Sequence, residues 1–390
     1  MNLPAPLAIT LLFLTLLLSP LPSHAEKADL SLKLEIEHAI KKGLDWLRTQ
    51  QDTETGAFGD PEFPALTALP ACALIGQPSH DPSAPTPESL EKALAFILDS
   101  QHPDGGIYGE GLATYNTSLA LLALSLAQNP DFSIPIRNAR RFLIGQQSDY
   151  DTENESDNPF DGGVGYGGTY THSDLSNTHF ALEALYYSRK ALADSPEGGA
   201  ASKLNWDAAI KFVERCQNLT PSNDQPWATD DPEQRGGFIY FPGDSKAGTT
   251  ETADGTKVFR SYGSMTYAGL LSFIYAEMNP DDPRVTAALD WLKAHFTVEE
   301  NPGMEHQGLY YYYHTMAKAL AISNIQELTL NDGSSVDWRG QLAQKLFDLQ
   351  KPDGSWLNDT GRWWEKDPVL VTAYAVLTLE HIYHSIPVTN

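Results

Sequence analysis

Near the end of this chain two phenols and an imidazole are set at helical spacing. Tyr310, Tyr313, His314 and Ala317 stand at i, i+3, i+4 and i+7, so on a helix they share one face. Imidazole titrates near neutral pH, which makes His314 the best single group here for proton transfer. Paired with Glu365 or Asp367, and with Arg260 or Arg362 to stabilise a developing anion, it would support acid–base chemistry. No spacing in the sequence brings these groups together by itself. Tyr170, His172, Tyr262, Tyr267, Arg362, Trp363 and Trp364 add the aromatic and polar surface that lines ligand sites. The competing view is equally physical. Many of these tyrosines would pack between helices, and Arg362 to Asp367 reads equally well as a solvated loop whose two Trp side chains cover a cavity rim.

Two acidic clusters invite metal readings, and neither is convincing. Asp149, Asp151, Glu153, Glu155 and Asp157 alternate as a calcium loop does, yet Asn154 stands where an EF-hand loop needs Gly. Asp230 and Asp231 precede Pro232, the pattern of a turn. The sequence implies no metal and no cofactor.

The elements that must position these groups come from a repeat. Lys42-Gly43-Leu44-Asp45-Trp46-Leu47 is followed by Gln51 and then Gly56-Ala57-Phe58; Lys92-Ala93-Leu94-Ala95-Phe96-Ile97 is followed by Gln101 and then Gly105-Gly106-Ile107-Tyr108. Six such units place an outer amphipathic helix before a Gly-rich turn and an inner, smaller-residue helix. The pattern predicts helices over 34–51 and 64–75, 88–101 and 114–127, from 134 and 174–193, 205–217 and 264–277, 282–296 and 309–323, and 336–350 and 369–384. The fold expected is all-α, a toroid of six helical hairpins, (α/α)6, occupying residues 34–384 as one domain. A long loop, 218–263, interrupts unit four; within it Gly237 to Phe241 and Lys257 to Arg260 are candidates for a short β-hairpin. Unit five departs most, with Phe296 where Gln is expected.

The Lys-Gly-x-x-Trp-Leu-x-x-x-Gln pattern, with Gln350-Lys351-Pro352-Asp353-Gly354-Ser355-Trp356 in the last unit, resembles the repeat of squalene and oxidosqualene cyclases and protein prenyltransferase β-subunits. The resemblance implies chemistry in a central cavity, at the starts of the inner helices. Cyclases of the squalene–hopene type carry Asp-x-Asp-Asp-Thr there; the nearest match, Asp174-Leu175-Ser176-Asn177-Thr178, has Ser176 in place of the proton donor. Protein prenyltransferases hold zinc with Asp, Cys and His. His314 resembles the His, but Tyr262 and Ser264 stand at the other two positions, and neither is an ordinary zinc ligand. The repeat residues themselves read as structural: Gln satisfies backbone at the helix end and Gly permits the turn.

Composition narrows the partners. The chain has 390 residues, is 41% hydrophobic and carries a net charge of -25, so it has material for a core and repels polyanions. Nucleic acid is therefore excluded as an expected partner. The apolar run Leu7 to Leu18, ending in Ser23-His24-Ala25, is too short to span a bilayer and reads as a secretory signal, residues 1–25, cleaved after Ala25. A secreted or periplasmic protein without a membrane span is expected. Cys72 and Cys216 fall in opposite units and are expected as separate buried thiols. Three functions stay open: a toroid holding an isoprenoid-like or other apolar ligand in an aromatic cavity, a polysaccharide lyase or glycoside hydrolase on the same scaffold, and a non-catalytic protein-binding scaffold.

Overall fold

The computed structural model of the chain describes residues 24–167, 170–189 and 203–387. The expected signal segment, residues 1–25, lies outside them apart from its last two positions. Six hairpins are present. Outer helices α1 (His24–Gln50), α3 (Glu88–Asp99), α5 (Ser133–Ile144), α7 (Trp206–Arg215), α9 (Pro283–Ala294) and α11 (Trp338–Leu349) alternate with inner helices α2 (Ala65–Gly76), α4 (Ala113–Leu126), α6 (Leu175–Tyr187), α8 (Gly263–Tyr275), α10 (Leu309–Ile322) and α12 (Pro368–Ser385).

Burial separates the two sets. On α3 only the stripe Leu90, Ala93, Leu94 and Ile97 is buried, the signature of a surface helix. On α8 nearly every residue from Gly263 to Phe273 is buried, because that helix has neighbours on all sides. Each inner helix packs on the next, and α12 returns to α2, closing the ring. Cys72 and Cys216 are free and buried.

The hairpins are joined by a repeated clasp. The Gln51 side-chain amide donates both to the Gly56 carbonyl of its own turn and to the Ser89 carbonyl of the next hairpin. Gln101 does the same to Gly105 and Pro135, Gln147 to Gly162 and Asn205, Gln217 to Gly236 and Arg284, and Gln350 to Gly354 and Ala39. Gln is thus more than the helix-end partner expected from sequence, since it also ties successive units. The turn glycine completes the contact. At Gly56, Gly105, Gly162, Gly236 and Gly354 φ is positive, and an added Cβ would strike a backbone carbonyl of the next outer helix. Finally, Phe58, Ile107, Val164, Phe238 and Trp356 each donate their backbone N–H to the hydroxyl of an inner-helix threonine: Thr67, Thr117, Thr178, Thr266 and Thr372.

Unit five has none of these contacts among the described residues. Its turn bends inward, where Asn301 accepts from the Ser264 backbone N–H and donates to Ser264 Oγ.

Among the described residues three two-stranded sheets lie in the connections: β1 (Val164–Gly167) with β2 (Tyr170–Asp174), β3 (Thr249–Glu251) with β4 (Lys257–Phe259), and β5 (Leu328–Thr329) with β6 (Ser335–Val336). The loop hairpin expected in unit four exists, with one strand reassigned. Lys257–Phe259 pairs with Thr249–Glu251, while Phe238 is drawn instead to Gln217 in the clasp.

Candidate functional site

The inner helices start side by side, and their capping shows it. Asn116, in the first turn of α4, accepts from the Ala65 N–H at the start of α2. Asn301 caps α8 in the same way, and Glu365 accepts from the Tyr311 N–H at the start of α10. Asp174 and Asp367 cap their own helices, α6 and α12. These side chains satisfy the open amides of the first turns. They also occupy positions where the resemblance implied chemistry. Asp174 is buried, and desolvation raises its pKa to about 6 against the opposing pull of Asn177. Glu365 is buried as well; desolvation outweighs its hydrogen bonds from Tyr311 and Asn358 and raises its pKa to about 7.

Deeper in the ring, side chains meet across it. Tyr115 of unit two and Tyr374 of unit six are hydrogen-bonded hydroxyl to hydroxyl at 3.0 Å. Unit one lies between them in the ring, so this bond crosses the interior. Phe180 of unit three reaches Tyr311 of unit five at 5.7 Å between centroids and Tyr115 at 5.1 Å; Tyr311 lies 6.1 Å from Tyr374. These four rings form an aromatic collar. The Tyr311 hydroxyl stands beside Ser176, and burial holds the phenols of Tyr115, Tyr311 and Tyr374 in the protonated form far above neutrality.

Farther along the same helices lies a buried charge pair. Lys318 Nζ and Glu183 Oε1 are 2.5 Å apart, with 6% and 2% of their side chains exposed. His179, His314 and the half-buried His381 surround it; burial, followed by the positive charge of Lys318, depresses all three imidazole pKa values well below normal. They are neutral at physiological pH. His179 Nε2 stands 3.8 Å from Glu183 Oε2, and His179 Nδ1 and His314 Nδ1 have no hydrogen-bond partner, whereas buried polar atoms are ordinarily satisfied by protein, water or ligand. Cys72 is buried nearby, and desolvation pushes its thiol up to about 12, which makes it inert.

At the rim, Trp363 and Trp364 both adopt left-handed backbone, φ 54° and 66°, a conformation costing roughly 1–2 kcal/mol per bulky residue. Their side chains are exposed by 37% and 44%. Arg362 stacks on Trp363 at 4.4 Å and donates to Gln307 Oε1, while Trp364 meets Phe63 edge-on at 4.3 Å.

The structure separates the catalytic set considered from sequence. His314 is buried against Tyr374 and His381. Glu365 is committed to the start of α10 and shares no hydrogen bond with His314. Arg260 is exposed at the end of β4, so it cannot serve an anion beside a buried His314. Tyr310 and Tyr313 do meet, edge-on at 5.8 Å, but the Tyr313 hydroxyl donates to the Val298 carbonyl of its own hairpin. Tyr267 packs on Tyr312, Tyr262 is buried just ahead of α8, and His172 lies against Phe241. Tyr170 is in β2. Arg362, Trp363 and Trp364 lie together in the exposed turn Arg362–Trp364 ahead of α12.

With this geometry in hand, comparisons with known proteins concern the fold. No family model matches the chain, and no curated protein does. Solved structures match over nearly the whole length. A variant of the type II terpene cyclase MstE from Scytonema, in complex with merosterolic acid A as product, is 11% identical at a TM-score of 0.53, covering 91% of this chain and 99% of that one. Another variant, with geranylgeranyl dihydroxybenzoate as substrate, is 12% identical at 0.53 with the same coverage. The chain has the terpenoid-cyclase toroid fold. At such identity the likeness extends to architecture and no further, in keeping with Ser176 at the first turn of α6.

Several interior groups escaped the sequence reading: Phe180, Glu183, Lys318 and Tyr374. A signal existed for two of them. Glu183 and Lys318 are single charges on otherwise apolar inner helices, and a lone charge on a helix buried all round must find a partner.

Proposed function

We propose that this protein is an exported, single-domain toroid, residues 34–384, that binds an isoprenoid-like ligand with a polar end group inside its ring. The collar of Tyr115, Phe180, Tyr311 and Tyr374 carries the proposal: four inner helices place aromatic faces at the centre of a fold that, in MstE, accommodates geranylgeranyl dihydroxybenzoate. The apolar chain lies against the collar once the Tyr115–Tyr374 hydrogen bond parts. The polar end meets His314 Nδ1, which has no hydrogen-bond partner, and the Tyr311 hydroxyl, groups that lose solvation against pure hydrocarbon. With Ser176 at the donor position, alkene protonation is not part of the function, and the ligand leaves unchanged. The acidic surface and the apolar leader Leu7 to Leu18 support export.

The test is native mass spectrometry and fluorescence titration of delipidated protein with geranylgeranyl dihydroxybenzoate and with geranylgeraniol. The first should bind more tightly than the second and be recovered intact. Tyr311→Phe, which removes the hydroxyl that meets the polar end and keeps the ring, should weaken binding of the first by about tenfold, a loss of ~1.4 kcal/mol, with little change in Tm. Absence of binding by either probe would overturn the proposal.

A further inference from the structure

The clasps and the helix caps make no use of Lys318 and Glu183. In the other lysine–carboxylate pairs of the described residues the lysine side chain is 23% to 74% exposed; at Lys318 it is 6%. Both charges stand on helix faces that begin in the aromatic collar. On α10, Tyr311, His314 and Lys318 are at i, i+3 and i+7, and on α6, Ser176, Phe180 and Glu183 are at i, i+4 and i+7, so each set shares a face. The two faces meet at both ends, Tyr311 with Phe180 and Ser176, and Lys318 with Glu183. Seven residues of helix put the amine about 10 Å beyond the collar. Cys72 on α2, His179 on α6, Tyr275 on α8, His314 on α10 and His381 on α12 all feel the charge of one partner or the other, which places the pair near the ring axis. A ligand chain lying on the collar and pointing along these faces ends at Lys318 Nζ.

A buried ion pair is a poor device for stability, since apolar residues of the same volume hold helices at least as well. What it supplies is a primary amine, out of bulk water and in contact with a proton acceptor, the setting in which lysine attacks carbonyl groups. Cys72, the buried thiol close by, is inert. The three neutral imidazoles around the pair add no competing charge.

We infer that the interior site takes isoprenoid-like aldehydes and holds them as a reversible imine on Lys318, with Glu183 as proton acceptor and counter-ion; this rests on the interior ligand proposed above. The ammonium passes a proton to Glu183 Oε1, and the freed nitrogen lone pair forms a bond to the carbonyl carbon while the C=O π pair moves to oxygen. A nitrogen proton moves to that oxygen, giving a neutral carbinolamine. Glu183 then returns its proton to the hydroxyl, the C–O bond breaks, water leaves and the nitrogen lone pair closes the C=N bond. The product is an iminium beside the Glu183 carboxylate, the same charges as at the start. Hydrolysis by the reverse steps releases the aldehyde unchanged.

Delipidated protein incubated with geranylgeranial and sodium cyanoborohydride, which reduces an imine to a stable secondary amine, tests this by peptide mass spectrometry. Labelling should concentrate on Lys318 and be suppressed by excess geranylgeranyl dihydroxybenzoate, which competes for the ring and has no aldehyde. Lys318→Arg keeps a cation for Glu183 and should lose the adduct while still binding that competitor. Peptide mapping of the wild type stands without the variant. Labelling confined to exposed lysines, or labelling of Lys318 that the competitor leaves unchanged, overturns the inference. Competitor binding with no Lys318 adduct overturns it alone and leaves the interior ligand standing, whereas absence of binding by every isoprenoid probe removes both.

Discussion

Five hairpins of this ring are clasped to their successors and one is not, and the difference follows from single residues. In units one to four and six, a Gln side chain, a positive-φ glycine and an inner-helix threonine together fix the turn and the next outer helix. In unit five Phe296 replaces Gln, and Thr315 donates to carbonyls of its own helix rather than receiving a turn N–H. Its turn is tied sideways by Asn301 to the start of α8 and by the Tyr312 and Tyr313 hydroxyls to Thr297 and Val298. Toward unit six it is tied by Asn358 and Thr360, which donate to the His306 carbonyl, by Arg362, which donates to Gln307 Oε1, and by the exposed Lys345–Glu299 pair, which contributes little. A repeat specifies scaffold wherever it is kept; where it lapses, contacts particular to that seam take its place.

The turn glycines give the largest contrast. A Cβ at Gly162 would sit 1.9 Å from the Ala208 carbonyl oxygen, whereas at Gly303, of similar φ, the nearest atom is 3.1 Å away. Gly162→Ala should destabilise by about 4 kcal/mol or more, combining backbone strain with a backbone clash that side-chain adjustment cannot relieve. Gly303→Ala should cost about 1–2 kcal/mol, the strain alone with modest crowding. Chemical denaturation checks both, and equal losses would mean that the clasp glycine is not a special contact.

The glutamines give the next. Gln217 is 1% exposed and serves two carbonyls in different hairpins, so Gln217→Ala strands both and should cost about 2–3 kcal/mol. Phe296→Gln should recover less than ~0.5 kcal/mol, because the fifth turn offers no glycine carbonyl at the matching place and the hydrogen bond has nothing to join. A gain comparable to the Gln217→Ala loss would show that the fifth seam is only one side chain short of a clasp.

How much of this was legible beforehand follows the same division. Helix ends read from the repeat fall within a few residues of those observed for most elements, as with 88–101 against Glu88–Asp99 and 369–384 against Pro368–Ser385, because hairpin periodicity is a local property. The start of α1 and the end of α6 are less well placed. In the long loop, Phe238 was assigned to a hairpin although its amide belongs to Thr266, a contact visible only once the clasp is known. The site was legible as a list of residue types and little more. Tyr310, Tyr313 and His314 share a helical face, yet three neighbours divide them: Val298 takes the phenol, Tyr374 and His381 take the imidazole. Cross-ring pairs such as Tyr115–Tyr374 join residues far apart in sequence, and no spacing encodes them.

The smallest effect sought lies on the inner side of the same seam, where α10 borrows its cap from unit six. Glu365, raised to about 7 chiefly by desolvation, holds its proton in the folded protein over a pH range in which the unfolded chain, with an ordinary carboxyl near 4.5, has lost it. The folded state then binds more protons, so the stability linked to this group is full below pH ~4.5 and is lost as pH rises through ~7. A loss of about 1–2 kcal/mol is expected, smaller than the full shift implies because relaxation around a buried charge offsets part of it. Glu380 and Asp174, raised in the same way by burial, slope in the same direction, so wild-type Tm alone does not isolate Glu365. Glu365→Gln does, since it keeps an oxygen for the Tyr311 N–H and cannot ionise. Its Tm should fall less steeply between pH 5 and 8 than that of the wild type, a window set by the same linkage. Parallel Tm profiles for Glu365→Gln and the wild type would mean that the carboxylate is already ionised at its helix start, so that the fifth inner helix is capped by a charge.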